Sequence, residues 1–557
     1  MKALFSLSTN IIPVMQFERD FMQFTGLTLD LTRFAFAFIA AVVSGVLVRW
    51  IHNPAARNLF SALVGFAVVY YPFGSHVAHG VVTSLATYLV MWLVPRKCGT
   101  LAWLICFPYL TVLHVANASG VNWNAGDLDF TGGQMVLTLK LISMAMCFQD
   151  ANSKKPEELT NYQKAHVFGA LPSLLEFLGF VFCFGNLLAG PVIEFRDYQM
   201  WVRREGPWAP SARKVPWTGD FRAGVRAWAV AMVSMVFYLS MERVWNFKLL
   251  ATGWYAAQPL LVKLVTMQII GTTYRTRYYF AWSLGHCSLA YAGLDFLKWE
   301  DKQNEKDGGK DERVGVWGRC RNAQPLKVEF CDSSRLLAQY WNTTTGNFLR
   351  RYVYERLTLP GKKPTFVTLM VTQLVSGVWH GLYPGYIMFF AGSAVLFAHS
   401  TVVYNYERAF LGEAPKSSRN PLWLLWWALK VFLTKQGLDF LAMAFLWLTW
   451  KECVAAWASV YYLPLLYMIT VLVLGNVFPV KKKGAKKAVA AAGDGSNAAA
   501  EATAGVAAGN GNGGGEGIVS GDQVGARGWR CKQAGPDQWC QAGVRVWPQP
   551  VCVCVCV

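Results

Sequence analysis

The sequence predicts an all-α protein that crosses a bilayer many times, and three observations carry that prediction. Of the 557 residues, 54% are hydrophobic and only 15% charged, whereas about a quarter of the residues of a soluble domain are charged. Apolar stretches recur through most of the first 480 residues, where a soluble chain of this length would divide into domains with charged surfaces. The charges that remain collect in short loops or just after apolar runs.

A hydrocarbon core of about 30 Å needs roughly 20 apolar residues. Segments 34–48, 59–71, 81–94, 101–115, 225–239, 259–270, 366–378, 387–403, 422–432, 438–450 and 457–477 approach that test. Some are short for a full crossing, which gives about ten spans. The chain then divides into an N-terminal segment 1–30, a transmembrane domain 31–480 and a low-complexity tail 481–557.

The net charge of +19 does not indicate nucleic acid, because no groove-reading or base-stacking motif accompanies it. Basic loops mark the cytosolic side. Lys481, Lys482, Lys483, Lys486 and Lys487 directly follow the last apolar run and assign the C-terminus to the cytosol. Residues 1–25 carry several charges by position 20 and a broken apolar run, so they make a poor signal peptide. Of thirteen cysteines, those of the apolar region are scattered singly, with no ligand-spaced partners. No metal site is expected.

Three polar stretches interrupt the pattern. Segments 149–164 and 196–222 read as connecting loops. Segment 298–340 opens on a dense charge run and belongs in water, since each charge at the bilayer centre costs about 2.5–3.5 kcal/mol. Beyond residue 484 the chain is rich in Ala and Gly and cannot bury enough surface to fold. Its terminal Val-Cys alternation is assigned no site.

The chemistry concentrates in two stretches. In 376–386, SGVWHGLYPGY, an apolar helix ends at His380 among Gly377, Gly381 and Gly385, and Pro384 breaks the helix at once. Glycines let another group approach closely, and broken helix at membrane depth lines a cavity or is buried in protein. An imidazole there titrates near neutrality and can take a proton from an alcohol. A structural histidine satisfying a buried polar group is the competing reading. In 341–356, WNTTTGNFLRRYVYER, Phe348, Leu349, Tyr352 and Val353 share one helical face, as in an interfacial amphipathic helix. Arg350, Arg351 and Arg356 project elsewhere as phosphate ligands or plain juxtamembrane anchors. The sequon at Asn342 would need a lumenal position, which the neighbouring charge opposes.

These two stretches resemble the paired asparagine and histidine motifs of the membrane-bound O-acyltransferases. Segments 135–143 (MVLTLKLIS), 172–177 (PSLLEF), 188–198 (LAGPVIEFRDY) and 317–322 (WGRCRN) are similar to the lysophospholipid acyltransferase branch. The likeness runs over residues 30 to 480 and departs at Phe348, where relatives often carry Trp, and in the charged insertion 300–312. It implies a bundle of helices around a catalytic tunnel, with His380 as general base and Asn342 as its partner. Weaker substrate-binding candidates are Glu194, Arg350, Arg351, Arg356, Trp341 and Trp379. It also implies acyl-CoA as co-substrate with no resident cofactor, a lysophospholipid as acceptor, and an endoplasmic reticulum membrane as location. Another acceptor alcohol (diacylglycerol, a sterol, a protein hydroxyl) and a transporter are the alternatives. The sequence leaves head group, chain preference and oligomeric state open.

Overall fold

The computed structural model describes residues 10–125, 128–209, 217–303, 311–358, 362–412 and 421–480. The expectations for the C-terminal tail and its lysine cluster lie outside them. The principal helices are α1 (Gln16–Thr25), α2 (Leu29–Leu47), α3 (Pro54–Phe73), α4 (Ala78–Leu93), α5 (Cys98–Asn117), α6 (Thr131–Ser153), α7 (Leu174–Val181), α8 (Phe195–Arg203), α9 (Trp217–Glu242) and α10 (Leu260–Tyr291). An antiparallel hairpin, β1 (Phe296–Gln303) and β2 (Asp311–Trp317), follows. Then come α11 (Thr343–Leu349), α12 (Phe366–His380), α13 (Pro384–Phe410), α14 (Pro421–Trp447), α15 (Trp450–Ala458) and α16 (Leu463–Val477). The protein is thus helical and multi-spanning, as its composition predicts.

Among the described residues six helical segments are long and apolar enough to cross a membrane, or seven if the pair α15–α16, bent by 79°, counts as one span. That is fewer than the ten read from sequence: candidates 59–71 and 81–94 fall in one stretch, Pro54–Leu93, and α12 is a shorter apolar helix. Helix α14 is one element of 27 residues, where the sequence suggested two spans, 422–432 and 438–450, with Lys435 and Gln436 between them and Asp439 at the start of the second. Those polar groups stay in the helix because they find partners inside the protein. Conversely, α6 was not among the sequence candidates, since Thr138, Lys140 and Ser143 dilute its apolar run, yet all three are buried. The Lys140 ammonium donates to the carbonyls of Phe180 (2.6 Å) and Val181 (3.0 Å) and to Asn186 Oδ1 (3.0 Å).

Two stretches read as loops are partly helical. Segment 196–222 contains most of α8 and the start of α9, and 149–164 begins inside α6. In α8 the helix forms because Phe195, Tyr198, Trp201 and Val202 bury one face and so make an amphipathic stripe.

The buried side chains fall into two clusters. The first gathers α2 to α8 with Phe348, Leu349, Tyr352, Val353 and Trp379. The second gathers the first half of α10 with α13, α14 and α15, and includes Trp341, Tyr386, Phe390 and Phe445. Close backbone approaches knit the helices. A Cβ on Gly45 of α2 would lie 2.1 Å from the Ser288 carbonyl oxygen of α10, and one on Gly385 of α13 would lie 2.1 Å from that of Ala444 in α14. Only glycine fits at either crossing.

Candidate active site

His380 is the last residue of α12. The helix stops there because Gly381 adopts φ 132°, a conformation open to glycine, and Pro384 then starts α13 at its first turn, where its missing N–H costs nothing. The imidazole is buried, 6% exposed, among aromatic rings: Trp379 at 4.7 Å, Phe390 at 4.8 Å, Phe445 at 5.5 Å and Tyr386 at 5.9 Å between centroids.

Its Nδ1 lies 2.7 Å from the Ser376 carbonyl oxygen. A carbonyl only accepts, so the contact puts the proton of the neutral ring on Nδ1 and leaves the lone pair on Nε2. Nε2 has no hydrogen-bond partner among the described residues. That is the tautomer a general base requires.

Asn342 is oriented by an equally one-way chain of bonds. The Thr344 N–H donates to Asn322 Oδ1 (3.0 Å), and the Thr344 hydroxyl does so as well (2.8 Å). A backbone N–H cannot accept, so the Asn322 amide is fixed with its Nδ2 outward. Asn322 Nδ2 donates to Asn342 Oδ1 at 2.9 Å. The Asn342 Nδ2 donor has no partner among the described residues. Its backbone sits at φ 43°, ψ 47°, a left-handed conformation that asparagine tolerates better than most residues. The Val192 N–H donates to the Thr344 hydroxyl oxygen at 3.1 Å, which ties in the segment 188–198.

Both residues stand where the chain passes between the two buried clusters. Trp341 belongs to the second and Phe348 to the first, with Asn342 between; Trp379 belongs to the first and Tyr386 to the second, with His380 between. Their side chains share no direct hydrogen bond.

The weaker candidates have other roles. Trp341 is 1% exposed and packs edge-on against Trp282 (4.8 Å) and Tyr279 (5.3 Å). Trp379 anchors α12 to α6 by donating its indole N–H to the Met135 carbonyl (3.0 Å). Glu194 accepts hydrogen bonds from Tyr162 (2.7 Å) and Tyr352 (2.9 Å), and burial pushes its carboxyl above the usual range. Arg350 and Arg351 both bind Glu355, at 3.1 and 2.7 Å, and Arg356 pairs with Asp150. The segment carrying them is α11 followed by a π-helical turn, Arg350–Tyr354. Its apolar face, Phe348, Leu349, Tyr352 and Val353, is the one read from sequence, but it is packed in the first cluster and does not lie on lipid.

The sequence reading missed His114. Its Nε2 lies 2.9 Å from the Trp379 carbonyl oxygen, beside His380, and the ring is 1% exposed. The available signal was a lone histidine in the last turn of an apolar helix, since intramembrane ionisable groups are rarely incidental.

The protein is thus a multi-spanning helical protein with a buried histidine and an oriented carboxamide placed between two packed clusters. Residues 115–435, over half of the chain, match the profile of MBOAT, the membrane-bound O-acyltransferase family. The chain is 34% identical over 465 residues to lysophospholipid acyltransferase 1 of Arabidopsis thaliana, spanning 83% of this chain and 97% of that protein. It is 28% identical to the lysophospholipid acyltransferase of Schizosaccharomyces pombe over 83% of this chain and 89% of that one. To the human membrane-bound acylglycerophosphatidylinositol O-acyltransferase MBOAT7 it is 27% identical, over 79% and 93%. The chain belongs to the membrane-bound O-acyltransferase family.

Proposed function

We propose that the protein transfers a fatty acyl group from acyl-CoA to the free glycerol hydroxyl of a lysophospholipid, in the endoplasmic reticulum membrane and with no resident cofactor. The observation that carries this reading is the 2.7 Å contact of His380 Nδ1 with Ser376 O, with no partner for Nε2 among the described residues, which fits a ring protonated on Nδ1. The names of the plant and yeast relatives support a lysophospholipid as acceptor.

In this mechanism His380 Nε2 takes the hydroxyl proton as the oxygen attacks the thioester carbonyl. Asn342 Nδ2 donates to the carbonyl oxygen as it gains charge. The C–S bond then breaks, an ester forms, and the coenzyme A thiolate leaves to receive the proton held on Nε2. Direct transfer suits the chain, which has no GxSxG elbow to form a covalent intermediate.

Membranes containing the protein, labelled oleoyl-CoA and a panel of lysophospholipids test this, with diacylglycerol and His380→Ala alongside. Phospholipid product should form and fall by about 10²–10⁴ in the variant at normal abundance. Product from diacylglycerol alone would move the acceptor to another alcohol, and undiminished activity of the variant would remove His380 from the reaction.

A further inference from the structure

The arginines that first suggest phosphate binding, Arg350, Arg351 and Arg356, are all engaged by carboxylates. Three others are not. Arg222, Arg226 and Arg321 line an open cleft of about 760 Å³ bordered by α9, α10, the β1–β2 hairpin and the loop after it, and none of the three has an ion pair among the described residues. Its size falls within the range of roughly 300–1,000 Å³ usual for small-molecule sites.

The placement follows from packing. Arg222 and Arg226 are four residues apart on α9 and so share a face. The hairpin closes on that helix because Gly219 has no side chain: a Cβ there would lie 2.0 Å from the Trp317 ring. Trp317 is further fixed by its indole N–H, which donates to Asp220 Oδ1 at 2.6 Å. The carboxylates beside this wall are already in use. Asp220 also accepts from Arg49 (2.9 Å), while Asp295 accepts from the Cys320 N–H (2.8 Å) and lies 3.0 Å from His286 Nε2, another lining residue. The cleft thus presents three guanidinium groups with no paired carboxylate among the described residues.

It also abuts the site. Arg321, Ala323 and Gln324 line it, and Asn322 between them holds Asn342 Oδ1. We propose that Arg222, Arg226 and Arg321 form a phosphate-ester site for the polar end of a substrate, set one residue from Asn322, which orients Asn342. Guanidinium forks match phosphate oxygens in geometry as well as charge. Resting on the acyl-transfer reading, the inference admits two sources of that phosphate: the nucleotide end of acyl-CoA or the phosphodiester of the lysophospholipid.

The test uses the full chain in lipid nanodiscs. Arg222→Gln, Arg226→Gln and Arg321→Gln should each raise one KM about tenfold, the loss expected for a charge-assisted hydrogen bond, with kcat held within about twofold. A rise for oleoyl-CoA, matched by weaker coenzyme A binding to His380→Ala carrying the same changes, identifies the nucleotide phosphates. A rise for lysophosphatidylcholine alone identifies the lipid. Raising ionic strength on the unaltered protein should move the same KM, so a variant that fails to accumulate does not remove the test. Both KM values and coenzyme A binding unmoved in all three variants would overturn the proposal. Absence of product from every lysophospholipid, with coenzyme A binding still dependent on the arginines, would instead overturn the acyl-transfer reading and leave the site standing.

Discussion

His114 of α5 donates its Nε2–H to the carbonyl of Trp379, the residue before His380, at 2.9 Å. The last carbonyls of any helix lack partners within it, and here a second helix supplies one. The end of α12 that presents the base is thereby tied to α5. His114→Phe keeps the ring volume and removes the donor. It should lower kcat by about tenfold to a hundredfold, the range for small displacements of a catalytic group. His114→Gln, which restores an N–H near the Nε2 position, should recover most of the rate; equal loss in both variants would exclude this role.

Asn342 separates side-chain chemistry from backbone demand. At φ 43°, glycine is tolerated without strain. Asn342→Gly should therefore accumulate and melt like the parent, yet lose about 10²–10³ in kcat, as when one oxyanion donor is removed. Thermal melts in detergent and acyl-transfer rates check the two halves separately.

Gly385→Ala tests the crossing of α13 with α14. The added Cβ would meet the Ala444 carbonyl oxygen at 2.1 Å and Leu448 Cα at 2.8 Å, both backbone atoms with no freedom to rotate away. A cost of about 1–3 kcal/mol is expected, as for overpacking a core. Gly253→Ala, with nothing within 4 Å, should leave the melting temperature unchanged.

A buried ion network joins α10 to α14. Arg275 binds Glu329 (2.9 Å) and Asp439, and Lys435 binds Glu329 (2.7 Å). Burial alone would raise the Glu329 carboxyl, but Arg275 and Lys435 outweigh it and hold the group well below the usual carboxylate range. A folded-state value below the unfolded one means the contribution to stability is complete above the ordinary value of 4.5 and is lost as pH falls beneath it. The melting temperature should drop with acidification in that window. In Glu329→Gln this part of the acid dependence should vanish. Asp439→Asn should cost about 3 kcal/mol, the low end for removing one partner of a buried pair.

The sequence carried the class of the fold because apolar run length is a direct consequence of bilayer thickness, and it singled out His380 and Asn342 as candidates because the glycines and aromatics flanking them are local. It failed where partners are distant. Nothing near Lys140 announces that carbonyls some 40 residues away satisfy it, so α6 passed unnoticed. Lys435 looked like part of a break between spans because Glu329, which holds it inside one helix, lies more than 100 residues earlier. Arg356 looked like a free cation for the same reason, its partner Asp150 lying 206 residues away. Periodicity reports the face a side chain occupies, not which charge it meets there.

The network around Arg275 also bears on how the chain is made. Arg275 emerges from the ribosome 54 residues ahead of Glu329 and 164 residues ahead of Asp439. A lone guanidinium costs about 2.5–3.5 kcal/mol at a bilayer centre, and α10 is not among the described segments apolar enough to cross by themselves, so it is a poor candidate for release into lipid on its own. Glu329 is synthesised early enough to shield it, while Asp439 arrives only after α13. Biogenesis of this enzyme therefore requires α10 to wait at the insertion machinery or beside earlier helices until its late partner arrives, and truncations ending before α14 should be retained there and degraded.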